Sequence, residues 1–177
     1  LQMTPSHLFA VVEALPDGVC LALLGADATD VRLRDLVASA VSTGRAYRWS
    51  TVPPEDLAGW AAVADAGIVT YLPDSLNNTY CAPNKLYEYA AAGIGIIGAD
   101  LPTVRESVAE YGAGTLFTPG DPASFVAAVR ELFRSERQLE AAREGARRLR
   151  QSATWEGEAA KLVAAYRRVR LSGVIPR

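Results

Sequence analysis

The stretch richest in chemical possibility runs from Ala82 to Glu88, where Lys85 and Glu88 stand three positions apart behind a proline. A helix is predicted over residues 84–92, with Pro83 at its first position and Gly93 ending it. The first N–H groups of a helix have no partner inside it, and the helix dipole favours an anion there. Residues Ala82, Pro83, Asn84 and Lys85 could therefore receive a diphosphate, with Lys85 adding a positive charge on the first turn. Glu88 follows one turn later, where its carboxylate could accept two hydrogen bonds from a vicinal diol such as a ribose. Lys85 and Glu88 read equally well as an ordinary i,i+3 surface pair. Tyr87 and Tyr89 read as core or rim aromatics.

A helix start at this point needs a scaffold to hold it, and the rest of the chain supplies one. The continuous apolar run at 19–24 reads as a parallel strand covered on both faces, and 45–49, 67–72, 94–99 and 114–118 read as further strands. Helices are predicted between and after them at 6–15, 31–43, 55–64, 84–92, 102–111, 122–134, 136–151 and 155–171, with a polar loop at 73–82. Alternating strands and helices imply an α/β fold: a Rossmann-like, doubly wound parallel sheet with additional helices at the carboxyl end. Ligands of such sheets sit at the carboxyl ends of the strands. The loops after Leu24, Trp49, Leu72 and Ala99 are the places for a site.

Composition narrows the classes further. The 177 residues are 50% hydrophobic and 21% charged with a net charge of −2, so no bulk charge argues for nucleic acid. Apolar stretches fall well short of the ~18 residues of a membrane span. Cys20 and Cys81 lack metal or redox spacing and read as incidental thiols of a reducing compartment. The arginines at 143, 147, 148 and 150 share a predicted helix with Glu140 and Glu144 and read as a solvated face. Gly93-Ile94-Gly95-Ile96-Ile97-Gly98 matches the dinucleotide pattern G-x-G-x-x-G in letters only. That pattern works when a strand precedes and a helix follows; here a helix precedes and a strand follows, so the glycines read as a helix stop and a close-packed strand. The chain opens on Leu1 with no signal-peptide pattern and is read as a fragment of a longer protein.

The segment Pro83-Asn84-Lys85-Leu86-Tyr87-Glu88-Tyr89-Ala90-Ala91-Ala92-Gly93 resembles the donor-site helix of the retaining glycosyltransferases of the GT-B fold, the glycosyl transferases group 1. Ser75-Leu76-Asn77-Asn78-Thr79-Tyr80 is similar to the donor loop of one subgroup. Ile96 to Glu106, Gly114-Thr115-Leu116-Phe117, Asp121-Pro122-Ala123, Trp155-Glu156 with Tyr166, and Val52-Pro53-Pro54-Glu55-Asp56-Leu57 match further family segments in order, covering nearly the whole chain. The resemblance implies that residues 1–177 form a single nucleotide-sugar-binding domain, the carboxyl-terminal half of a two-domain enzyme. The resemblance likewise implies an amino-terminal acceptor-binding half, expected in the longer protein and missing from this chain.

The family implies roles for matching residues only. Glu88 corresponds to the second glutamate of the E-x7-E pattern and would hold the ribose. Ala82, Pro83, Asn84 and Lys85 would receive the diphosphate, Thr51, Val52 and Pro53 would line the base, and Asn78 would lie near the sugar. The implied donor is a nucleotide-diphospho-sugar such as a UDP- or GDP-sugar, with no cofactor and no metal. The full protein would be a cytoplasmic hexosyltransferase, with any peripheral membrane attachment made through the absent half, and the isolated fragment would be inactive. Two departures stand out. The first glutamate of E-x7-E is replaced by Tyr80, and the Gly-rich basic loop before the first helix is replaced by Thr4-Pro5-Ser6-His7. These favour an alternative, a catalytically inactive binding or regulatory domain of the same fold. A phospho-acceptor signalling domain, for which Asp27 and Asp30 are the nearest acidic pair, and a sugar-nucleotide epimerase fit the sequence less well.

Overall fold

A computed structural model of the chain describes residues 12–25 and 31–171. His7 and its neighbours, residues 6–11 of the first expected helix, and Asp27 and Asp30 lie outside the described residues. Among the described residues the chain forms strands β1 (Leu21–Leu24), β2 (Ala46–Trp49), β3 (Ala66–Val69), β4 (Gly95–Ala99) and β5 (Gly114–Phe117). The α-helices are α1 (Val31–Ser42), α2 (Leu57–Ala62), α3 (Leu76–Tyr80), α4 (Asn84–Ala92), α5 (Pro102–Tyr111), α6 (Pro122–Leu132), α7 (Glu136–Ser152) and α8 (Trp155–Leu171). The end of the first expected helix is a single 3-10 turn, Val12–Ala14, and another, Pro54–Asp56, leads into α2.

All strand pairs are parallel. The sequence predicts one ladder; the structure has two, β1–β2 and β3–β4–β5. Leu21 of β1 and Ala46 of β2 nevertheless share one buried cluster with Ile97, Ala99 and Phe117 of the longer ladder, so both ladders belong to one core. Central strand β4 shows why its sequence is apolar without alternation. Ile97 faces that cluster, to which α1 brings Val37 and α6 brings Phe125 and Leu132. Ile96 faces the opposite cluster with Leu86 and Ala90 of α4, Val104 and Val108 of α5, and Leu149 of α7. Helices on both faces make this the Rossmann-like, doubly wound architecture. Among the described residues, no helix is long and apolar enough to cross a membrane.

The glycine run that imitates a dinucleotide motif has a packing explanation. Gly93 adopts φ 71°, the left-handed cap that ends α4. A Cβ on Gly98 would lie 2.5 Å from Cγ1 of Val104, so this position lets α5 lie close on β4. Gly67 of β3 does the same for α4: a Cβ there would run into the ring of Tyr89.

The arginines of α7 do more than solvate a face. Arg147 pairs with Glu140 (3.0 Å) and Glu144 (2.9 Å) on its own helix. Arg143 reaches Asp65 at 2.5 Å, just before β3. Arg150 donates to the Ala91 carbonyl (3.2 Å) and Arg148 to the Tyr111 carbonyl (2.7 Å), in the last turns of α4 and α5. Carbonyls at a helix end have no internal donor, and the dipole favours a cation there.

Gly67→Ala is expected to lower stability by ~1–3 kcal/mol, the usual range for forcing a methyl into a packed site. Urea unfolding checks it, and the loss should shrink in a Tyr89→Ala background, where the obstructing ring is gone.

Candidate functional site

Helix α4 packs on one face of the β3–β4 ladder with its amino terminus toward the carboxyl end of β3, and its polarity is set by its sequence. Leu86 and Ala90, four residues apart, are buried at 0% and 1% exposure, which turns Lys85 and Glu88 to the open side. Pro83 is the N-cap residue (φ −69°, ψ 132°), so the helix proper begins at Asn84. A proline offers no capping oxygen, whereas Ser75, Asp121 and Ser135 cap α3, α6 and α7 with their side chains. The Leu86 N–H folds back onto the Pro83 carbonyl at 3.0 Å. The N–H groups of Asn84 and Lys85 stand at the helix mouth, where helix geometry gives them no internal acceptor.

In front of this mouth lies an open cleft of about 410 Å³, within the size range of small-molecule sites. Ala82, Pro83, Asn84, Lys85 and Glu88 all line it, so five of the residues singled out by the sequence meet in one wall. Lys85 Nζ and Glu88 Oε2 are 2.6 Å apart, so the surface pair weighed from the sequence is formed inside the cleft. Val52, Asn78 and Tyr80 lie outside that wall. Val52 is half-buried in the turn after β2. Asn78 donates from Nδ2 to Asp74 Oδ1 (2.6 Å), and its N–H donates to Ser75 Oγ (3.1 Å). Tyr80 is 63% exposed, and its carbonyl accepts from Thr103 Oγ1 (3.1 Å), fastening α3 to the start of α5.

Three further residues complete the wall: Tyr71, Asn77 and Cys81. The polar stretch expected to be a loop contains the one-turn helix α3, whose i,i+4 spacing sorts its side chains. Asn77 and Cys81 turn to the cleft, while Leu76 and Tyr80 turn outward and are exposed. A single turn has no hydrophobic period to read; the usable signal was the Ser75 cap, whose Oγ accepts from the backbone three residues on. The Cys81 thiol, half-buried, donates to the Asn78 carbonyl at 3.8 Å.

A family model described as "Glycosyl transferases group 1" matches residues 7–135. The chain belongs to the glycosyl transferases group 1 family. No curated protein sequence matches it. Its fold is that of one half of a GT-B glycosyltransferase, the carboxyl-terminal one. Sucrose-phosphate synthase from Thermosynechococcus elongatus is similar with a TM-score of 0.73 and 20% identity, over 97% of this chain and 43% of that one. The pneumococcal O-GlcNAc transferase GtfA, solved with UDP and GlcNAc, has a TM-score of 0.70 and 17% identity, over 95% of this chain and 33% of that one. Anabaena HepE, solved with UDP-glucose, has a TM-score of 0.64 and 14% identity, over 90% and 44%. The group 1 chain thus spans less than half the length of each of these structures.

The site helix also carries a titration signature. Burial pushes the Tyr89 phenol above its ordinary value of 10.0, and the adjacent Glu88 carboxylate adds to the shift. The folded chain therefore holds this proton more tightly than the unfolded one. Its contribution to stability is complete below pH 10.0 and is lost as pH rises through the folded-state value. Chemical unfolding across the alkaline range should show a steeper loss for the wild type than for Tyr89→Phe; parallel curves would contradict the assignment.

Proposed function

We infer that this domain binds a nucleotide-diphospho-sugar and supplies the donor half of a retaining glycosyltransferase. The observation that carries the reading is the convergence of an uncapped helix mouth, Lys85 and Glu88 on one cleft in a group 1 family chain. In this reading the diphosphate lies against the Asn84 and Lys85 N–H groups, with the Lys85 ammonium beside it. Glu88 accepts hydrogen bonds from the ribose diol, and the base extends toward the turn of Val52. The sugar lies on the α3 side of the cleft, where Asn77 and Tyr71 join the wall, with Asn78 in the next layer. That GtfA and HepE were solved with UDP or UDP-glucose supports the same ligand class for this fold.

The chemistry assigned to this half is stabilisation of the leaving group. As the bond from the anomeric carbon to the diphosphate oxygen breaks, negative charge grows on the diphosphate. Fixed N–H donors and an ammonium stabilise that charge most when it is fully developed, which is the condition for accelerating the reaction. The acceptor is assigned to a second half of a longer chain, a reading supported by the chain spanning 43% of the sucrose-phosphate synthase structure and 33% of the GtfA structure. No metal or organic cofactor has a role in this scheme.

The alternative, an inactive binding or regulatory domain, draws on Tyr80, which stands where the family pattern has a carboxylate. Restoring that carboxylate with Tyr80→Glu in a two-domain protein separates the readings: a gain in turnover supports the enzyme, and none favours the inactive domain.

Calorimetric titration with UDP, GDP and ADP tests the donor reading on the domain itself. One of them is expected to bind saturably, and Glu88→Ala should weaken it about 10- to 100-fold, the usual cost of losing hydrogen bonds to a charged group. Equal affinity in the variant would remove Glu88 from the site.

A further inference from the structure

The geometry of the Lys85–Glu88 pair bears on which ligands the cleft selects, an inference that rests on the donor reading above. Both side chains are about half exposed, both line the cleft, and they are joined at 2.6 Å. Arg105, near the start of α5, is held by Asp100 at 2.5 Å and is not among the residues of the wall. Without ligand, the group suited to a phosphate is therefore bound to the group suited to a diol. A molecule offering only a diol must compete with an ammonium for the carboxylate. A molecule offering only phosphate must draw the ammonium away from a carboxylate. A molecule carrying both exchanges the partners in one event, with phosphate taking Lys85 and the diol taking Glu88.

We propose that the Lys85–Glu88 ion pair couples a phosphate subsite to a diol subsite, so that the cleft discriminates in favour of molecules bearing a diphosphate and a ribose together. An exposed i,i+3 pair is a weak interaction, so the coupling amounts to about two- to fivefold in affinity. Linkage makes it reciprocal: pyrophosphate tightens nucleoside binding by the same factor as nucleoside tightens pyrophosphate binding.

The test is an NMR titration of the chain with uridine, adenosine and guanosine, each with and without saturating pyrophosphate, in the wild type, Lys85→Met and Glu88→Gln. In the wild type, pyrophosphate should tighten the preferred nucleoside about two- to fivefold. In Lys85→Met the nucleoside should already bind at the tightened level, and pyrophosphate should add nothing. Nucleoside affinity that is indifferent to both pyrophosphate and the Lys85 substitution, or absent from wild type and Lys85→Met alike, overturns the coupling. Failure of the underlying donor reading has a different signature: Glu88→Gln would leave nucleoside and nucleoside diphosphate affinities unchanged.

Discussion

The contact between the inner face of α4 and the β3–β4 ladder fixes everything the candidate site does. Leu86 and Ala90 enter the same buried cluster as Val69 and Ile96, and the ring of Tyr89 covers Gly67, where any larger residue would intrude. At the far end, Arg150 holds the Ala91 carbonyl and Gly93 turns the chain directly into β4. A helix fixed along its face and at its carboxyl end has its amino terminus fixed as well. Donors held in place before a charge develops need no reorganisation to meet it, which is what makes a helix mouth useful for an anion. α5 repeats the arrangement, with Pro102 at its start, Arg148 on its last carbonyl, and Thr103 reaching back to the Tyr80 carbonyl. α7 thus acts as a tie across the back of two helices whose front ends face the same edge.

The cleft balances its own charge. Among the described residues its wall carries one ammonium and one carboxylate, and they neutralise each other at 2.6 Å. Such a wall does not rely on bulk attraction for an anion, in keeping with the chain's net charge of −2. In the coupling proposed above, recognition works by exchange of partners, so the hydrogen-bonding pattern of the ligand matters more than its total charge. Beside Lys85 and Glu88, Tyr71, Asn77 and Cys81 line the wall with phenol, amide and thiol groups that can hydrogen-bond the hydroxyls of a ligand.

Much of this arrangement was legible in the sequence because local punctuation marked it. Pro and Gly bracket α4 and α5, and the observed bounds of both agree with those read from residues 84–92 and 102–111. The glycine run differs from a dinucleotide motif in its neighbours, a helix before it and strand β4 within it, and both are visible in the sequence. The features that the sequence leaves unread have a common physical origin in contacts that local pattern does not encode. The division into two ladders depends on strand-to-strand distances, not on any strand's own sequence. The orientation of Asn77 over Asn78 depends on one helical turn within a polar run. The arginines of α7 look like a solvated face until carbonyls 37 and 59 residues away are brought beside them.

The most direct test of the central claim, that the mouth of α4 is the ligand site, is amide chemical-shift mapping of the chain during titration with UDP, GDP and ADP. The account predicts that one of these shifts the Asn84, Lys85 and Glu88 amides most, with smaller movements at Asn77 and Tyr71. Largest shifts on the glycine-rich strand Gly95–Ala99, or on a surface remote from residues 82–88, would contradict it.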